Sequence, residues 1–134
     1  SDYVIHSPNV PVFRTDDGRL LEEPWHLSVL TSPAVNGDAL RRYEPERESE
    51  IPLVMRARTT RLLTVAGAHA EPPLILGAWG CGAFELDSEM IAGIFFEALT
   101  GPFAGAFDEV VFAITDGSQE QRYIGPFQRT FSST

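Results

Sequence analysis

The residues best suited to chemistry lie in one stretch, Leu74-Ile75-Leu76-Gly77-Ala78-Trp79-Gly80-Cys81-Gly82-Ala83-Phe84. An apolar run from Pro73 to Leu76 reads as a short buried strand. Glycines at 77, 80 and 82 then open a loop, and Asp87-Ser88-Glu89 starts a helix. A strand, a Gly-rich turn and a helix N-terminus form a natural anion site. Without Cβ atoms, backbone N–H groups can converge on an oxyanion, and the helix dipole favours negative charge. No Lys or Arg lies in the loop, so a phosphate there is held by main-chain donors. That suits a bound nucleotide diphosphate better than fast phosphoryl transfer. The spacing fits neither G-x-x-x-x-G-K-[ST] nor G-x-G-x-x-G, so the P-loop and dinucleotide signatures do not apply. The plain alternative is a β–α turn whose glycines serve only positive φ angles. Cys81 has no flanking His, Asn or Asp signature, and reads as a small side chain tucked under the loop rather than a nucleophile.

The elements that must position this loop follow from periodicity. Tyr3–Ser7 and Val10–Arg14 read as two short strands, or one strand with a bulge at Pro8-Asn9. The Asp-Gly turn at 15–19 predicts a hairpin pairing Val12-Phe13 with Leu20-Leu21. Glu22-Glu23 read as a polar turn. Trp25–Thr31 is apolar on both alternating faces and is expected as the inner strand of a covered sheet. It runs into Thr31-Ser32-Pro33-Ala34, and ligands gather where strands end in open α/β sheets. Ser32 and Asn36 are therefore ligand-proximal candidates, their ordinary roles being to cap and turn the chain.

The charged run at 36–50 reads as a surface loop or a short helix broken at Pro45, with Tyr43 its one aromatic. A helix is expected over 53–69, burying Met55, Thr59, Leu62, Leu63 and Ala66, with Ala70-Glu71-Pro72-Pro73 stopping it. Asp87 is the expected N-cap of the next helix, whose stripe is Met90, Ile91, Ile94, Phe95 and Ala98. Val110–Ile114 is a second apolar strand. By the same edge argument, Ile114 and Thr115 are candidates to face a ligand's base. Ile124, Phe127 and Phe131 mark a terminal helix. Strands alternating with helices give an α/β fold with a mixed sheet flanked by helices.

Composition narrows the function classes. The chain has 134 residues, enough for one domain or part of one, and 43% are hydrophobic. Its net charge is −9 and all ten basic residues are Arg, so direct nucleic-acid binding, which needs a basic stripe, is not expected. One Cys permits no internal disulfide, consistent with a cytoplasmic protein. No apolar run reaches membrane-spanning length, so no membrane association is expected. His6, His26 and His69 show no metal-ligand spacing, and neither a metal nor a cofactor is expected.

The string Gly-Ala-Trp-Gly-Cys-Gly-Ala-Phe resembles the second ligand loop of the poly(ADP-ribose) glycohydrolase macrodomains, particularly the bacterial type. Tyr3–Arg14, Leu27–Pro33 and Val110–Ala113 look like further landmarks of that family in the right order. The resemblance implies a macrodomain-like fold, present here as its C-terminal part over residues 1–134. It implies ADP-ribose or poly(ADP-ribose) as ligand, with Gly80, Cys81, Gly82 and Ala83 wrapping the diphosphate and distal ribose and Phe84 packing near the ribose. Gly77 and Trp79 belong to the same ligand-binding loop. It also implies hydrolysis of the ribose–ribose O-glycosidic bond with a glutamate as general acid. Two departures qualify the transfer. Glu85-Leu86 stand where small or polar residues are more usual, and an inward carboxylate would repel a diphosphate. The family's Gly-Gly-Gly…Gln-Glu-Glu signature is absent from these residues, so no catalytic residue is expected in this chain. The acid is expected from an N-terminal half, as an upstream segment or a second chain. The competing expectations are a non-catalytic ADP-ribose-binding module and a structural domain whose loop binds nothing.

Overall fold

The computed structural model describes residues 1–69 and 72–132. The chain divides into two compact units, the first spanning Ser1–Pro33 and the second beginning at Ala34.

The first unit is a long antiparallel hairpin of β1 (Ile5–Arg14) and β2 (Leu20–Thr31). Its turn is closed by Thr15 and Arg19, whose N–H and C=O lie 2.9 Å apart, with Gly18 at φ +85° where an L side chain would be strained. The first strand is continuous, with an irregularity between Ser7 and Val10 where Asn9 takes φ 56°. The register pairs Arg14 with Leu20 and Val12 with Trp25, rather than Val12-Phe13 with Leu20-Leu21. Two further expectations are corrected. Glu22 and Glu23 lie within β2, not in a turn. Trp25 is 56% exposed, and β2 has β1 as its one strand partner among the described residues, so it is no inner strand of a covered sheet. Apolar residues on both faces of a strand do not say what covers them.

The second unit is helical around a small parallel sheet. Its elements are α1 (Gly37–Tyr43), a 3-10 turn over Pro45–Glu50, α2 (Ile51–His69), β3 (Leu74–Leu76), α3 (Ser88–Thr100), β4 (Val110–Phe112) and α4 (Ile124–Phe131). α2 buries Met55, Thr59, Leu62, Leu63 and Ala66, the stripe its spacing predicts, with Pro52 in the first turn where a missing N–H costs nothing. Of its expected stop, Ala70 and Glu71 lie outside the described residues. Asp87 caps α3, its carboxylate accepting the Glu89 N–H at 2.9 Å, and Ile91, Ala92, Ile94 and Phe95 are buried. Each fully buried side chain of Leu or Phe size contributes about 1.5–3 kcal/mol. An exposed ion pair between Arg56 and Glu97, 3.0 Å, links α2 to α3.

β3 and β4 pair in parallel, with Leu74, Ile75 and Leu76 opposite Val110, Val111 and Phe112. β4 ends at Phe112, two residues short of the expected strand. Phe112 stacks between Phe95, Phe127 and Phe131, with ring centroids 4.7–5.5 Å apart. Phe127 is thus a core residue, 3% exposed, and is not free to stack on a ligand's base. The α/β class holds, with the described strands forming two small two-stranded sheets. No described helix is long and apolar enough to cross a membrane.

Candidate functional site: the glycine loop after β3

The loop leaves β3 at Gly77, beside Ala113 at the end of β4, whose N–H donates to the Leu76 carbonyl at 2.8 Å. Both strands therefore open at the same carboxyl edge. Two turns build the loop. Cys81 donates to Ala78 O at 3.1 Å with Gly80 at φ +78°, a turn that favours glycine in its third position. Glu85 donates to Gly82 O at 2.9 Å, and Leu86 then closes on Gly80 O at 3.0 Å. Gly80 is doubly required, since a Cβ there would meet Leu86 at 2.6 Å and Ala34 at 2.8 Å. Gly82 faces open space.

The loop's core side is anchored by two residues. Trp79 is half-buried, its ring 6.3 Å from Phe95. Cys81 is buried, its thiol 3.8 Å from the Trp79 carbonyl. Burial pushes the Cys81 thiol up, and nearby Asp87 adds to this against a hydrogen bond from Ser88. A protonated thiol under the loop is a packing group. The outer side is different: Gly82, Ala83 and Phe84 are exposed, and the N–H groups of Gly80, Gly82, Ala83 and Phe84 donate to no acceptor among the described residues. Backbone N–H groups without an acceptor are candidate donors to an oxyanion.

The loop is also held from α1. Asn36 caps α1 by accepting the Ala39 N–H at 3.0 Å, so its side chain has a local task. Asp38 N donates to Phe84 O at 3.2 Å, and Arg41 donates to Glu85 O at 2.9 Å while standing 3.5 Å from the Glu85 carboxylate. Ile114 packs against the core and Thr115 is exposed. Ser32 lies in the first unit. Among the described residues no cluster of His, Cys, Asp or Glu could hold a metal ion. An open cleft of about 630 Å³ adjoins Cys81 and Gly82. Its carboxylates Glu85, Asp87, Glu89 and Glu120 outnumber Arg122 and Arg129, so it is a poor place for a phosphate.

Sequence reasoning passed over Arg41 and Asp116. The first sits in a mixed charge run that looks like solvated surface. The second carried a signal in Asp116-Gly117-Ser118, a turn-forming trio. Its carboxylate accepts from Ser118 N at 2.9 Å, Ser118 Oγ at 2.6 Å, Tyr123 N at 2.7 Å and Ile124 N at 3.0 Å. One side chain therefore closes the turn after β4 and caps α4. The Ser118 hydroxyl, then the backbone donors, hold this carboxyl far below the usual carboxylate range.

Compared with solved structures, the chain aligns over 99% of its length with poly(ADP-ribose) glycohydrolase from Deinococcus radiodurans in complex with ADP-ribose, at 39% identity and a TM-score of 0.94. The chain carries part of a bacterial-type poly(ADP-ribose) glycohydrolase fold. The apo form of the Deinococcus glycohydrolase gives the same identity and TM-score. The poly(ADP-ribose) glycohydrolase from Thermomonospora curvata is 45% identical over 98% of this chain, with a TM-score of 0.87. The chain spans about half the length of these glycohydrolases, 54% of the first and 48% of the last. No protein-family model matches the chain, and no curated protein does.

Proposed function

We propose that this chain is the ADP-ribose-recognising, C-terminal part of a cytoplasmic poly(ADP-ribose) glycohydrolase. The observation that carries the reading is the outer face of the glycine loop, with four uncommitted N–H donors, on a chain similar throughout to a glycohydrolase solved with ADP-ribose. In this reading Gly80, Gly82 and Ala83 hold the diphosphate and distal ribose, and Phe84 packs near the ribose. Cys81 and Trp79 pin the loop to the core, and Gly77 sets its exit from β3. Ile114 and Thr115 follow the carboxyl end of β4, where the base would sit, and Asn36 borders the ligand.

The reaction of the parent enzyme is cleavage of the ribose–ribose O-glycosidic bond through an oxocarbenium-like transition state. A carboxylic acid within hydrogen-bond reach protonates the leaving oxygen. The N-terminal half, as an upstream segment or second chain, supplies that glutamate, and this chain supplies orientation. Orientation lowers a barrier substantially, yet it does not replace the proton donor.

The test is calorimetric titration of ADP-ribose into the chain and into its Gly82→Glu variant. Position 82 has room for a side chain, so the variant should keep its melting temperature while losing binding by tenfold or more, roughly 1.4 kcal/mol. Equal affinity in both would remove the loop assignment. The alternative reading is an ADP-ribose-binding module without hydrolysis. Release of ADP-ribose from polymer on adding the other half would decide for the enzyme.

A further inference from the structure

We propose that Arg41 is a positioning residue for the ligand loop, fixing its backbone and drawing the Glu85 carboxylate away from the bound anion. The inference rests on the ADP-ribose reading of the loop.

Glu85 is out of place on two counts. It takes φ 53°, a left-handed conformation in which a side chain is strained, and it brings a carboxylate into the chain directly after the loop's four N–H donors. A residue persists in such a conformation only when its surroundings over-determine it. Here they do. Its N–H bonds to Gly82 O, its carbonyl accepts from Arg41 at 2.9 Å, and its carboxylate lies 3.5 Å from the same guanidinium. Arg41 is itself steadied by Glu48 at 3.5 Å, on the 3-10 turn. The preceding carbonyl, Phe84 O, accepts from Asp38 N. Gly37 permits this approach, because a Cβ there would stand 2.8 Å from Phe84 O. The first turns of α1 thus grip two successive carbonyls of the loop. A planar guanidinium can bond a carbonyl and face a carboxylate at once, which a lysine ammonium does less well.

The mechanism has two separable parts. One is geometric: gripping the carbonyls of Phe84 and Glu85 fixes the peptide units whose N–H groups close the loop on Gly82 O and Gly80 O, and so holds in place the segment between them that carries the ligand donors. The other is electrostatic: pairing with Arg41 turns the Glu85 charge from a repulsive neighbour into half of an ion pair. The second part is screened by salt and the first is not.

The experiment uses the full 134-residue chain as wild type, R41A, R41K, E85Q and R41A/E85Q. Amide NMR spectra are recorded without ligand, and ADP-ribose is titrated at low and high salt. R41A should move the Gly80, Gly82 and Ala83 amides before any ligand is added and weaken binding roughly tenfold, more at low salt. R41A/E85Q should regain affinity at low salt while its loop amides stay displaced. R41K should fall between wild type and R41A, and E85Q alone should bind at least as tightly as wild type. Unmoved loop amides with unchanged affinity in a folded R41A would overturn the proposal, as would weaker binding by E85Q at low salt. Should R41A not fold, R41K and E85Q carry the same decision. A wild type that binds no ADP-ribose, with loop amides still displaced in R41A, would remove the ADP-ribose reading and leave the grip on the loop standing.

Discussion

Gly80 and Gly82 are two residues apart and have opposite surroundings. Gly80 answers to the fold: it sits at φ +78° with Leu86 and Ala34 packed where a Cβ would go. Gly82 has no such packing: the residue is exposed, and a Cβ there would meet nothing within 4 Å. Gly80→Ala should therefore cost about 1–3 kcal/mol in urea or thermal unfolding, from strain plus overpacking. Gly82→Ala should stay within about 0.5 kcal/mol, as surface substitutions do. Equal costs at the two positions would contradict this division. The sequence marked both glycines as loop residues but did not separate them, because the difference lies in what Leu86 and Ala34 do from elsewhere in the chain. Cys81 was legible as a small tucked side chain, since nothing around it could activate a thiol. Glu85 was not, since a glutamate at positive φ leaves no trace in composition or spacing.

At the scale of elements, the helices were the readable part. Met55 through Ala66 and Ile91 through Phe95 repeat at helical spacing and are buried as that spacing requires, and Asp87 caps where it stands. The strands were harder. β3 and β4 each contribute three residues, too few for a period to show, and β2 continues through Glu22, Glu23 and Pro24 against local preference. What joins β4 to α4 is Asp116, whose carboxylate accepts four hydrogen bonds from Ser118, Tyr123 and Ile124. Its folded-state pKa is depressed. Its contribution to stability is therefore fully present above the ordinary value of 3.8 and fades as pH falls through the folded-state value. Asp116→Asn should lower the melting temperature at pH 7. The gap between variant and wild type should narrow steadily below about pH 3.8. A gap that widened on acidification would mean the carboxylate is not the stabilising form.

At the scale of the molecule, the β3–β4 sheet leaves apolar surface uncovered among the described residues. Parallel sheets are found with both faces covered and their edges paired, because crossover helices pack on each side. In this chain Leu76 and Phe112 pack against the core, while their neighbours Ile75 and Val111 are 63% and 38% exposed. Those two residues are directly opposite each other in the ladder, so they make one continuous apolar spot on a two-stranded parallel sheet. The glycohydrolases it resembles are about twice its length, and under the proposed function their other half is the occupant of that face. The polypeptide corresponding to their other half should bind this chain, and Ile75→Glu with Val111→Glu should abolish that association. The double variant touches no residue of the glycine loop, and its helices pack on the opposite face of the sheet. It should therefore retain its helical circular dichroism and its own affinity for ADP-ribose, while losing polymer hydrolysis in the reconstituted pair. Sedimentation velocity on the mixed halves reads the association directly. Unimpaired assembly by a folded double variant would mean that the catalytic half docks elsewhere and that Ile75 and Val111 await a different cover.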